Sequence, residues 1–111
     1  MTYALGNAIC CPFATYNVAV VGDIKFDQNY ASNLDWKKWI ELAKKQGRFT
    51  YMKKIMMAHR IDETTATSSL IKDNRRYNED LRIFTEIWGK SIAKFLMLFY
   101  AISYEMAEAK K

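Results

Sequence analysis

From Ser69 to Glu108 the chain runs 40 residues without a proline, and Gly89 is the only glycine in that stretch. Tyr77, Leu81, Phe84, Trp88, Ser91, Phe95, Leu98 and Ile102 recur at alternating spacings of four and three, a heptad-like apolar seam whose one polar gap is Ser91. The pattern predicts a long C-terminal helix, either continuous or bent at Gly89 into two. Asp73, Asn74 and Asn78 weaken its start, because short polar side chains compete for backbone hydrogen bonds. Ile83, Ile87, Ile92, Leu96 and Phe99 lie largely off the seam. A single helix cannot present both sets to one small core. The second set is expected to leave a patch of several hundred Å2, more than soluble monomers normally expose. Ile92, Leu96 and Phe99 are therefore candidate interface residues, for a homodimer or another protein partner. Phe95 to Tyr104 carries no charge, but a membrane span needs about 20 apolar residues. Lys94 and Glu105 close this run on both sides, so no membrane span is expected.

The first third of the chain has a different texture. Tyr16 to Val21 is rich in β-formers, Gly22-Asp23 follows, and Ile24-Lys25-Phe26-Asp27 alternates apolar and charged. Two such runs around a Gly-Asp pair predict a β-hairpin with a type II′ turn, Ile24 and Phe26 facing inward. From Asn33 the period becomes helical. Ser32 or Asn33 can cap, Asp35 suits the first turn, and Trp36, Trp39, Ile40 and Ala43 form one apolar stripe, with Gly47 as a stop. A second short helix is expected from about Thr50 to Arg60, with Met52, Ile55, Met56 and His59 on one side. The expected fold class is α+β and mostly helical: an N-terminal β-hairpin, two short helices and a long C-terminal helix. At 111 residues and 13.0 kDa this is one small domain, residues 1–32 β-like and 33–111 helical.

Charge is concentrated. The net charge is +5. Between Asp35 and Arg60 lie eight cations against two carboxylates, so this stretch holds the whole positive balance. Such a stripe attracts polyanions. Lys37, Lys38, Lys44, Lys45, Arg48, Tyr51, Lys53, Lys54 and Arg60 are the candidate nucleic-acid-binding residues, against the plainer expectation of a solvated helix face. Of the interleaved aromatics, Trp36 and Trp39 belong to the apolar stripe, whereas Phe49 and Tyr51 are better placed to stack on bases. Met52 to Ile71 has the outline of a helix-turn-helix, with Thr64, Thr65 and Ser68 as base-reading candidates. Arg60 in the turn, bulky Met56 and polar Ser69 argue against it.

No pattern carries catalysis. There is no nucleophile elbow, phosphate loop, zinc-protease helix or C-x-x-C. His59, the single histidine, has Asp62 one turn on, an arrangement that more often stabilises a helix end than moves a proton. Cys10 and Cys11 are adjacent, which fits neither an ordinary disulfide nor a zinc site and suggests a reducing compartment. Residues 1–24 hold no Lys or Arg, so no signal peptide is seen and an intracellular, cytoplasmic protein is expected. The sequence thus points to a small, basic, non-enzymatic protein that contacts nucleic acid or a nucleoprotein complex through Lys37–Arg60. The alternative is a protein–protein module acting through the apolar C-terminal helix, either an accessory subunit or a small inhibitor of the phage or mobile-element kind. Neither needs a metal, a cofactor or a small-molecule substrate.

Overall fold

The computed structural model describes residues 4–58, 60 and 74–109. A 3-10 turn at Cys11–Phe13 is followed by four helices: α1 (Val18–Val21), α2 (Leu34–Ala43), α3 (Arg75–Trp88) and α4 (Lys90–Ala109). Among the described residues there are no β-strands, so the expected N-terminal hairpin does not form and the protein is helical. Local side-chain chemistry explains the difference. Asn17 Oδ1 accepts the Ala19 N–H at 3.2 Å and starts a helical turn over the valines. Gly22, at φ 73 and ψ −156, ends that turn where a type II′ bend was expected. Asp27 Oδ1 then accepts the Asn29 N–H at 3.0 Å, a local bend that interrupts the period-two run after Phe26. Val18 and Val20 are left exposed, and Ile24 and Phe26 are half-buried.

Of the two short helices expected, one is present. α2 runs from Leu34 with Asp35 in its first turn, and its stripe is buried at Trp36 and Trp39 and half-buried at Ile40, while Ala43 is exposed. The second, expected over Thr50–Arg60, is absent from 50–58, which has no helical turn. The reason is burial. Met52, Ile55 and Met56 are 58%, 94% and 65% exposed, and an isolated helix of that length is marginal without an apolar face to dock. The first helix of the helix-turn-helix outline goes with it.

The long C-terminal stretch is two helices. Gly89 stands at φ 81 and ψ 166, a region essentially reserved for glycine. Its N–H closes α3 on the Thr85 carbonyl, and its own carbonyl opens α4 by accepting the Ala93 N–H, each at 3.0 Å. The bend resets the heptad phase. Phe84 is buried and Leu81 and Trp88 half-buried, but their seam partners Phe95, Leu98 and Ile102 on α4 face out. The face of α4 that packs on α3 carries Ala93 and Met97, with Leu96 and Tyr100 at its margin.

α2 lies against this pair. Trp36 meets Phe84 edge-on at 5.2 Å between ring centres, and Tyr100 meets Phe84 likewise at 5.2 Å. Polar groups lock the junction. The Glu79 carboxylate accepts the N–H groups of Ala31, Ser32 and Asn33 at 2.7, 2.9 and 2.9 Å, which ties the turn leading into α2 to α3. Asn33 does not cap its own helix, and its amide donates to the buried Asp80. The N-terminal segment is strapped down by two indoles: Trp39 Nε1 donates to the Ile9 carbonyl at 3.1 Å and Trp88 Nε1 to the Ala4 carbonyl at 2.7 Å. A Cβ at Gly6 would sit 2.3 Å from the Tyr100 hydroxyl, so that close crossing requires glycine.

Candidate interaction interface

α4 is apolar on two sides. Opposite its core face, Ile92, Phe95, Leu98, Phe99, Ile102 and Met106 stand between 48% and 64% exposed. Five of them, Ile92, Phe95, Phe99, Ile102 and Met106, are spaced three, four, three and four, so they share one stripe. Phe95 and Phe99 touch edge-to-face at 5.2 Å. Lys94 flanks the N-terminal half and Glu105 the C-terminal half, both exposed. Ile92 and Phe99 were expected at an interface from the sequence, and both are on this outer face. Leu96 turns instead toward the core, where it is half-buried. Phe95, Leu98, Ile102 and Met106 were missed because the α3 heptad phase was carried straight through Gly89. The three-four-three-four spacing counted from Ile92 alone would have found all of them but Leu98.

The basic stripe divides. Lys37 pairs with Glu86 across to α3, and Lys38 pairs with Glu41 within α2, so these two cations hold the fold together. Lys44, Lys45, Arg48, Lys53, Lys54 and Arg60 are exposed beyond the end of α2. Tyr51 is 87% exposed among them, whereas Trp36 and Trp39 are each 1% exposed. Thr64, Thr65 and Ser68, together with His59 and Asp62, lie outside the described residues.

Chemistry is sparse elsewhere. A cleft of about 310 Å3 between α2 and α3 is floored by Ile40, Ile83 and Ile87, and its Lys37 and Glu86 are engaged with each other. The Lys37 ammonium, by its hydrogen bond, holds the Glu86 carboxyl below the usual range. Cys10 and Cys11 are exposed free thiols, and partial desolvation with Asp35 nearby raises Cys11, disfavouring its thiolate. Among the described residues no cluster of three His, Cys, Asp or Glu side chains could hold a metal ion. No helix among them is long and apolar enough to cross a membrane. No family model matches the chain, and no curated protein or solved structure matches it.

Proposed function

We propose that this protein is a non-enzymatic interaction module that engages another protein through the outer face of α4. The observation that carries the reading is a helix with two apolar sides, one filling the core and one left in solvent. Among the described residues, seventeen large hydrophobics are exposed and seven apolar residues are buried, so water contacts far more apolar surface than a finished monomer presents. Among the described residues no catalytic constellation competes with this reading. A photo-reactive benzoylphenylalanine at position 99 should give discrete protein adducts in cells, and the same group at the exposed polar Asn78 should give none. A chain with the probe at position 99 that yields no adduct overturns the reading.

The exposed cations favour a second contact, with nucleic acid. Lys44, Lys45, Arg48, Lys53 and Lys54 stand clear of the helical core beside the exposed ring of Tyr51. If these cations and Arg60 meet phosphates, affinity should fall about a thousandfold between roughly 50 and 200 mM salt. Reversing Lys44, Lys45, Lys53 and Lys54 to Glu should abolish binding and leave the helical signal unchanged. Equal binding by both proteins in a gel-shift titration rules this contact out.

A further inference from the structure

We propose that the partner of α4 is a second copy of this chain, packed antiparallel about a two-fold axis that passes between Phe95 and Phe99. The proposal deepens the α4 reading and rests on it. Its basis is a symmetry in the stripe. Read from either end, its first four residues run Ile, Phe, Phe, Ile at spacings of three, four and three. An antiparallel pair aligned on that centre sets Ile92 against Ile102 of the second copy and Phe95 against Phe99 of the second copy. These four layers are then matched in shape, and the two Phe pairs merge into one four-ring cluster. A parallel pair would instead stack each residue on itself.

Charge selects the same direction. The antiparallel register puts Glu105 of one copy and Lys94 of the other on the same flank of the interface, twice over by symmetry. A parallel pair puts them on opposite flanks and loses that attraction. A two-fold interface needs one self-complementary patch, which this stripe is in both shape and charge. The area is adequate. Six side chains about half exposed amount to on the order of 600 Å2 per copy, against roughly 800 Å2 per partner in a stable complex. The Lys94 and Glu105 stems at the margin supply part of the difference.

Light scattering should give a mass near twice 13.0 kDa in the tens of micromolar. Phe99→Glu should halve that mass and keep the far-ultraviolet helix signal, since Phe99 is 59% exposed and outside the core. Direction is read by linkage in a Cys10→Ser, Cys11→Ser background. A short bis-maleimide should couple Ser91→Cys chains to Glu105→Cys chains, because the antiparallel register places these positions on one flank only two residues out of step, and should not couple Ser91→Cys chains to one another. Coupling of Ser91→Cys chains to themselves overturns the antiparallel arrangement, and so does a dimer mass that Phe99→Glu leaves unchanged. A wild-type chain that stays at 13.0 kDa while the probe at position 99 captures a different protein overturns self-pairing alone. A monomer with no adduct at position 99 overturns the α4 reading as well.

Discussion

Glu79 acts on the turn that leads into α2. Its carboxylate gathers three N–H groups from residues 46 to 48 positions earlier in the chain, so one side chain ties the entry of α2 to α3. Substituting Glu79→Gln keeps the shape and removes the charge, and should cost about 1–2 kcal/mol in urea unfolding. A loss below about 0.3 kcal/mol would mean that water serves the α2 start as well. Tyr30 and Glu86 form a second such node. The buried Tyr30 hydroxyl donates to Glu86 at 3.1 Å, and burial, then the carboxylate charge, pushes the phenol up from 10.0 to about 12. The folded state prefers the neutral phenol. Its contribution is therefore complete below pH 10 and drains as pH rises from there toward 12. Glu86 has the opposite sign: held below its ordinary 4.5, it contributes above that pH and loses its contribution as pH falls further. The alkaline limb of the stability profile should be shallower in Tyr30→Phe than in wild type. Identical alkaline limbs would remove Tyr30 from the account.

At the level of elements, Gly89 is the joint on which the architecture turns. No atom lies within 4 Å of where its Cβ would stand, so Gly89→Ala meets no clash, only backbone strain at φ 81. That strain should cost about 1–3 kcal/mol. A neutral or stabilising result would show that α3 and α4 can run on as one helix. The extended course of 50–58 is tested by Ile55→Pro. It should change stability by less than about 0.5 kcal/mol, whereas a proline inside a helix costs about 3 kcal/mol. Elements with a local cause were legible in the sequence. The Trp36, Trp39 and Ile40 spacing and Asp35 place α2, and Gly89 stands out as a break in an otherwise uninterrupted stretch. The hairpin failed because a β-run needs a neighbouring strand, whereas Asn17, Gly22 and Asp27 satisfy the backbone locally. The second helix failed because periodicity at Met52, Ile55 and Met56 says nothing of whether a surface exists to receive it. Glu79 was invisible for a related reason, since its partners are distant in sequence. On the outer face of α4, the stripe beyond the expected Ile92 and Phe99 was hidden by carrying the α3 phase through Gly89.

As a whole molecule, the chain finishes one core and leaves a second apolar surface beside it. Tyr30, Trp36, Ile83, Phe84, Ala93 and Met97 form a single cluster where α2, α3 and α4 meet. Lys37, the cation that joins α2 to α3, is spent on that core, and Lys44, Lys45, Arg48, Lys53 and Lys54 are exposed with the aromatic and methionine side chains of 49–57. Such a molecule gains stability from whatever covers α4. For a self-pairing chain, mass action makes the folded state more stable as protein concentration rises. The most direct test is the thermal midpoint of wild type and Phe99→Glu measured over a hundredfold range of concentration. The account predicts that the wild-type midpoint climbs by several degrees across the range while the variant's stays level. A wild-type midpoint that stays level too would contradict it.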